Sequence, residues 1–330
     1  MSDDPSSVVA ATEHWFIRHG LPYFVDGERA AARQALTGRR LVAFVVTALV
    51  LGTAVGVLVG WLVDDATNAT AAGLATVAVV AAAYAAIALR AWPIATWAVA
   101  RTFRSLGLLF PLVTRALPLL LLFVTFLFIN TEVWQVATSL KGGILWGAVL
   151  LFAAVAIGFL LVRLPEELDK VDDEIHGQRL VASCKGTPLE DVAVDLDHDA
   201  QGTAEDIEIT GYQKANLILV LLVSQIVQVL LLAFSVFLFF VVFGSVVMKR
   251  AVVKSWIGEN PTQLVPGLSG LTVELMQVAV FLAAFSGLYF TVYAVTDDSY
   301  RKQFFTSIIH ELERAVGVRA VYRAIKQRIA

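Results

Sequence analysis

The chain has 330 residues, 58% of them hydrophobic and 16% charged, with a mean hydropathy of +0.74 and a formal net charge of −3. Soluble domains are about half apolar and a quarter charged, so this composition excludes a soluble protein and indicates several membrane spans. The single cysteine, Cys184, excludes an intramolecular disulfide and a metal site built from several thiolates. No metal, cofactor or nucleic-acid partner is expected.

The chain begins with a segment, residues 1–40, that lacks the pattern of a cleavable signal peptide, so the first span is expected to remain as an anchor. Beyond it, six apolar windows are long enough to cross about 30 Å of hydrocarbon as helices of about 20 residues. In lipid, helices satisfy their own backbone hydrogen bonds, whereas the strands of a barrel would be shorter and alternating. The sequence therefore predicts an all-α membrane protein with about six transmembrane helices, four of them in 41–162 and two in 216–296, at 41–63, 71–89, 116–136, 144–162, 216–247 and 271–296.

Lysine and arginine are distributed unevenly between the segments that connect the predicted spans. If the amino terminus is cytoplasmic, the inside segments hold 21 of the 25 basic residues. The positive-inside rule describes this asymmetry. We therefore expect a multi-pass protein of a bacterial cytoplasmic (plasma) membrane with both termini in the cytoplasm. The main exceptions follow the fifth span, at Lys249, Arg250 and Lys254.

The first two spans are predicted to be a closely packed pair. In "GTAVGVLVG", Gly52, Gly56 and Gly60 share one helix face, where the absence of side chains lets a second backbone approach. Small residues are also common in any span, which is the simpler interpretation. The connection is only about eight residues long, so the two spans are antiparallel neighbours in either case. The second span has small residues at the same spacing, at Ala78, Ala82 and Ala86.

The stretch "AWPIATWAVARTFR", which follows the second span, mixes aromatic rings with arginines. Membrane interfaces favour both residue types, since the rings lie at the headgroups and the guanidinium groups extend toward water. We expect this stretch to lie along the headgroups as an anchor.

A resemblance covers the third and fourth spans. The stretches "RALPLLLLFVTFLFINTEVWQVA" (115–137) and "GFLLVRLPEEL" (158–168) resemble segments of uncharacterised integral membrane proteins from high-GC actinobacteria. The resemblance implies a bacterial membrane location and brings no activity with it.

Polar residues in the fifth and sixth spans are candidates for contacts between these helices. At 1.5 Å per residue, Gln228 and Gln277 fall at nearly matching depths, three residues after Gln225 and Glu274 respectively. One interpretation is a ladder of hydrogen bonds that fastens the two spans, each bond contributing about 1 kcal/mol. The other is a polar pathway in which Glu274 and Glu132 select cations. For Glu132, which lies near the outer end of the third span, the simpler interpretation is contact with water.

The fifth apolar run is too long for one perpendicular span. As a single helix, 217–248 would measure about 48 Å, against a hydrocarbon core of about 30 Å. The helix must therefore tilt, project beyond the bilayer or break, and Gly244 and Ser245 are the predicted place for a break.

The segment 163–215 is predicted to be an acidic cytoplasmic loop, with 14 acidic and 5 basic residues between Arg163 and Lys214. Apolar residues alternate at Val192, Val194 and Leu196 and again at Ile207 and Ile209, a pattern that predicts a small β-hairpin.

The carboxyl-terminal segment 297–330 has the opposite charge and a helical spacing of apolar residues. This pattern predicts a basic amphipathic helix that binds anionic lipid of the inner leaflet. The alternative is that it docks on the acidic loop. The aromatic stretch "EHWFIRHGLPYFV" of the amino terminus is predicted to pack beside it.

Enzyme motifs are absent, since the chain contains no GxxxxGK[ST], HExxH, CxxC or GxSxG. No catalytic residue is predicted. The expected function is that of a non-catalytic scaffold, assembly or regulatory component that binds lipid, a membrane-protein partner or a second copy of itself. The alternative is a small channel or transporter with a polar route between predicted helices three, five and six. The lack of charge at mid-membrane depth favours the first, because coupled transporters usually keep an ionisable residue there.

Overall fold

The computed structural model describes residues 5–63, 66–104, 118, 120–140, 143–172, 183–190, 192–193, 211–268, 270–296 and 314–327. These residues form α-helices, a 3₁₀ turn at Pro22–Phe24 and short connections, with no β-strand among them. The helices are α1 (Pro5–Arg18), α2 (Asp26–Ala35), α3 (Gly38–Val63), α4 (Ala66–Ile87), α5 (Ala91–Arg104), α6 (Leu120–Phe128), α7 (Thr131–Ser139), α8 (Gly143–Asp172), α9 (Gly211–Val247), α10 (Arg250–Ile257), α11 (Val273–Thr296) and α12 (314–327).

Four helices are long and apolar enough to cross a membrane: α3, α8, α9 and α11. Two bent pairs raise the number to six if each pair counts as one span, namely α4 with α5, at 90°, and α6 with α7, at 76°. An all-helical protein with four to six candidate spans is therefore confirmed, and the exact number of spans stays a prediction.

Contacts divide the described residues into two compact units, which we treat separately. The first unit takes its residues from Met1–Arg104, Leu164–Ser224 and Phe305–Ala330, and the second from Ser105–Arg163 and Gln225–Phe304.

In the first unit, α3 and α4 form the predicted close pair. A Cβ atom built on Gly56 would lie 3.0 Å from the carbonyl oxygen of Ala69, and one built on Gly60 would lie 3.0 Å from the Ala69 Cβ. One built on Gly52 would lie 2.6 Å from a methyl group of Val77 and 2.9 Å from the carbonyl oxygen of Gly73. The three glycines therefore face α4 across a close backbone contact.

The predicted partner row on α4 was wrong. Ala69, Gly73 and Val77 meet the glycines, while Ala78 and Ala82 are exposed and Ala86 does not meet them. In an antiparallel pair with a short connection, residues equally distant from the turn lie opposite each other, which sets Gly56 between Ala69 and Gly73. Ala78 follows Val77 by one residue and so points about 100° away from the contact.

In the second unit, the third predicted span does not run straight through 116–136. Helix α6 ends at Phe128, and Asn130 begins α7 by accepting hydrogen bonds from the N–H groups of Glu132, at 2.7 Å, and Val133, at 3.4 Å. Asparagine is a favoured N-cap because its side chain satisfies these otherwise unbonded donors. The buried indole of Trp134 donates to the carbonyl oxygen of Phe128 at 2.6 Å and holds the bend.

Helix α9 is continuous over 37 residues, about 55 Å at 1.5 Å per residue. Of the three alternatives for this long run, a break at Gly244 and Ser245 is therefore excluded. Gly244 keeps its place in the helix, and its carbonyl oxygen accepts from the N–H of Met248 at 2.9 Å. It is small because Leu275 and Phe128 pack against its Cα, which leaves no room for a side chain.

Two predictions concern segments outside the spans, the β-hairpin and the carboxyl-terminal helix. Residues 194–210, which hold most of the predicted β-hairpin, lie outside the described residues, and the neighbouring 183–190 and 192–193 form turns and short helical pieces. The carboxyl-terminal helix α12 exists, but residues 315–322 are buried, so it is not the surface helix that the sequence predicted.

Candidate functional site

Segments from both ends and the middle of the chain pack together in the first unit. We call the assembly of α1, the 3₁₀ turn, α2, the described residues between 183 and 193, the first turns of α9, and α12 the terminal cluster. Phe16 of α1 makes an edge-to-face contact with Tyr322 of α12, with ring centroids 5.6 Å apart. The Arg314 guanidinium lies 5.7 Å from the centroid of Trp15 and donates to the carbonyl oxygen of Lys185 at 2.6 Å. The predicted packing of the aromatic amino-terminal stretch beside the carboxyl-terminal helix is thus observed.

Asn216 joins the terminal cluster to α9. Its side chain is fully buried, accepts from the N–H of Tyr23 at 3.0 Å and donates to the carbonyl oxygen of Gly20 at 2.8 Å. The same turn is held from the other side, where the Tyr23 hydroxyl donates to the carbonyl oxygen of Leu89. Buried backbone groups need such partners, since leaving one unbonded costs about 1–3 kcal/mol.

Polar side chains link α1, α2 and α12. The Tyr322 hydroxyl donates to Glu13 at 2.6 Å, and Lys326 donates to Asp26 at 2.6 Å and lies 3.8 Å from Glu13. Arg29 also pairs with Asp26. The hydrogen bond from Lys326 lowers the pKa of Asp26 and raises the pKa of Lys326, while burial raises the pKa of Tyr322 to about 12. Each of these three shifts favours the usual charge state at neutral pH, namely an ionised Asp26, a protonated Lys326 and a neutral Tyr322.

A cavity of about 540 Å³ lies beside this network. Of the residues that the structure describes, five cationic side chains and one carboxylate, Asp26, line it, and we call it the basic cavity. Tyr212, Tyr322 and Phe24 contribute aromatic surface to its lining. The cations are Arg29 and Arg33 of α2, and Arg319, Arg323 and Lys326 of α12.

Sequence reasoning missed the basic cavity, although a signal was present. Arg29 and Arg33 are four residues apart on α2, while Arg319, Arg323 and Lys326 are spaced four and three apart on α12. Such spacings place side chains on one face of a helix. The face on α12 was assigned to lipid, whereas in the structure it lines a cavity together with the face on α2.

A second cavity, of about 600 Å³, lies in the second unit and carries two carboxylates. We call it the acidic cavity. Of the five predicted polar residues, Glu274 and Gln277 line it, together with Gln135, Glu259 and Thr262. The Glu274 carboxylate accepts from the N–H of Thr262 at 3.1 and 3.0 Å. Glu132 is exposed and does not line this cavity.

The glutamines of α9 lie elsewhere. Gln225 and Gln228 are both buried, and neither lines the acidic cavity. Within the described part of the chain, the Gln228 amide has no hydrogen-bond partner, so the predicted bond from Gln228 to Gln277 is not formed. Matching depth was not enough, because an amide must also point toward its partner.

Because the Gln228 amide makes no hydrogen bond to any described residue, Gln228→Leu should stabilise the protein, whereas a fastening bond would predict a loss of stability. Replacing Gln228 by leucine should raise the free energy of unfolding by about 1 kcal/mol, since the change removes a buried polar group that gains no hydrogen bond. Thermal unfolding in detergent measures this change. The control is Gln135→Leu, which deletes the bond from its side-chain nitrogen to the Trp256 carbonyl oxygen at 3.0 Å and should lower stability. A loss of about 1 kcal/mol in Gln228→Leu would restore the fastening role.

The described residues contain no group of three or more His, Cys, Asp or Glu side chains that could hold a metal ion. Cys184 is fully buried in the terminal cluster, and burial raises the pKa of its thiol to about 12.

No protein-family model, curated protein or solved structure matches this chain. The resemblance to actinobacterial membrane proteins therefore stays a prediction, and the interpretation of function depends on the sites themselves.

Proposed function

We propose that the protein is a non-catalytic scaffold or regulatory component of a bacterial cytoplasmic membrane, and that the terminal cluster is its recognition element. The observation that carries the proposal is that α1 and the described residues between 183 and 193 pack against α12, which lines one basic cavity together with α2 and the start of α9. A helix that only crosses the membrane needs no such assembly of distant segments. An element that recognises a ligand does, because several segments must come together to form its binding surface.

The orientation of the cluster supports this proposal. The distribution of lysine and arginine predicts that 1–40, 163–215 and 297–330 lie on the cytoplasmic side. The terminal cluster draws its residues from these three segments and the adjoining start of α9. Because segments can pack together only on one side of a membrane, the packing agrees with the predicted topology. We therefore propose that both termini are cytoplasmic.

The bond to α9 gives the proposed element a route to the membrane-embedded part. Asn216 holds the turn at Gly20 and Tyr23, and the apolar run of α9 begins at the next residue, Leu217. A ligand or partner that shifts this turn therefore acts directly on the end of a candidate span. This is the regulatory step that we propose.

The acidic cavity favours the alternative, a small channel or transporter for cations. Carboxylates at a pore entrance attract cations, and Glu259 and Glu274 both line this cavity. Only two of the five predicted polar residues belong to it, so we rank this function second.

Ion flux separates the two functions. Liposomes that contain the purified protein should pass potassium and sodium no faster than protein-free liposomes, and Glu274→Gln should change nothing. Glu132→Gln is the matched control, because it removes an exposed carboxylate that does not line the acidic cavity. A flux above background that Glu274→Gln changes and Glu132→Gln does not would overturn the scaffold function in favour of the channel.

A further inference from the structure

We infer that the basic cavity of the terminal cluster binds a phosphate-bearing anion, either the headgroup of an anionic phospholipid or a free phosphate compound. The inference names the ligand class of the proposed recognition element and in that sense rests on the proposed function. Three observations carry it: the charge of the lining, the aromatic surface, and the distance to the apolar run of α9.

The positive charge of the cavity lining favours an anionic ligand. Among the described residues, five cationic side chains face one carboxylate, and that carboxylate, Asp26, is already shared by Arg29 and Lys326. Arg319, one of the lining arginines, is only 4% exposed. Arginine also matches phosphate best, because its planar group donates two parallel hydrogen bonds.

The aromatic lining holds the cationic groups in place before a ligand arrives. The Arg33 guanidinium lies over the ring of Tyr212, 5.1 Å from its centroid, and Lys326 lies 5.4 Å from the centroid of Tyr322 and 3.2 Å from its hydroxyl. Cations held on aromatic faces lose less freedom on binding. A volume of about 540 Å³ falls in the usual range for small-molecule sites, about 300–1,000 Å³, so a phosphate fits with the group that it is attached to.

The place of the cavity along α9 is compatible with both sources of phosphate. Gln213 lines the cavity, and the apolar run begins four residues later at Leu217, about 6 Å along the helix. Phospholipid headgroups lie at this level, next to the start of a candidate span, and basic pockets there bind anionic headgroups. A soluble phosphate compound reaches the same place from water.

The test uses the full chain in nanodiscs made of neutral phosphatidylcholine. In one arm, inorganic pyrophosphate is added and its binding is measured by calorimetry and by the shift of the unfolding temperature. In the other arm, part of the neutral lipid is replaced by phosphatidylglycerol and the unfolding temperature is followed against its mole fraction. A response in the first arm identifies a free phosphate compound as the source, and a response in the second alone identifies a lipid headgroup.

Two pairs of variants distinguish the cavity from general attraction between charges. Arg323→Gln should weaken binding at least tenfold in the responding arm, whereas Arg39→Gln, an exposed arginine at the start of α3 that does not line the cavity, should leave it within twofold. Asp26→Asn should lower the unfolding temperature without ligand and yet tighten binding about threefold or more, because it removes the one carboxylate among the described residues of the lining. Glu28→Gln, which lies on the same helix and breaks an ion pair with Arg90 instead, should not tighten it.

The inference is overturned if neither arm responds, if Arg323→Gln and Arg39→Gln lose binding equally, or if Asp26→Asn weakens binding. These results are independent of the flux measurement. A protein that conducts ions but binds the anion would overturn the proposed function alone, and one that neither conducts nor binds would overturn only the inference about the cavity.

Discussion

Replacing Gly56 by leucine should prevent most of the protein from folding. The Cβ position of Gly56 lies 3.0 Å from the carbonyl oxygen of Ala69 and 3.5 Å from the Cα of Gly73. Both are backbone atoms, so no side chain can rotate away, and α3 must separate from α4. We expect a loss of about 3 kcal/mol or more for leucine and about 1–2 kcal/mol for alanine. The measurements are the folded yield in size-exclusion chromatography and the unfolding temperature in detergent.

The matched control is Gly147 of α8. This glycine also lies inside a candidate span, but a Cβ atom there meets nothing within 4 Å. Gly147→Ala should raise stability by up to about 1 kcal/mol, since alanine favours the helix over glycine. If Gly56→Leu and Gly147→Leu fold equally well, the three glycines of α3 face lipid and the pair is not held by close contact.

Replacing Asn216 by leucine should be nearly as damaging, although the two side chains are similar in size. The change leaves the N–H of Tyr23 and the carbonyl oxygen of Gly20 without their buried partner. Each orphaned group costs about 1–3 kcal/mol, so we expect a total loss of about 3 kcal/mol. Thermal unfolding, followed by tryptophan fluorescence, measures the change.

Two further variants sharpen this experiment. Asn216→Asp keeps the acceptor for Tyr23 but loses the donor to Gly20, so it should fall between the wild type and Asn216→Leu. Ser235→Leu, on the exposed face of the same helix, removes a hydroxyl that bonds only the carbonyl oxygen of Leu231, four residues earlier, and should have little effect. Equal stability of Asn216→Leu and the wild type would show that the terminal cluster is not held through Asn216.

The parts of the fold that were predictable are those set by a single physical requirement, such as the length of a span or the space at a helix contact. Apolar length alone places the candidate spans, and small residues at a four-residue spacing place Gly52, Gly56 and Gly60 at a helix contact. The register of α4 was not predictable from spacing, because several rows of small residues in an alanine-rich helix satisfy it equally. The turn at Asn130 was missed for a related reason, since an apolar window does not show where one asparagine begins a second helix.

The candidate site was harder to predict than the fold. The basic cavity combines α2 and α12, nearly 300 residues apart in the chain, and neither basic face reveals its partner. A basic amphipathic helix has the same pattern whether lipid or protein covers it, and only the burial of 315–322 separates the two. The glutamines of α9 show the converse, because matching depth predicted a bond that Gln228 does not form.

The buried thiol of Cys184 makes the natural chain suitable for spectroscopic labelling. Burial raises the pKa of this thiol to about 12, so it stays protonated and unreactive at pH 7, and it is also closed to solvent. A cysteine introduced at an exposed position such as Asn260 or Gln327 would then be the only site that maleimide dyes or spin labels modify. Two cysteines introduced at exposed positions of one unit therefore allow a distance within that unit to be measured without first replacing Cys184.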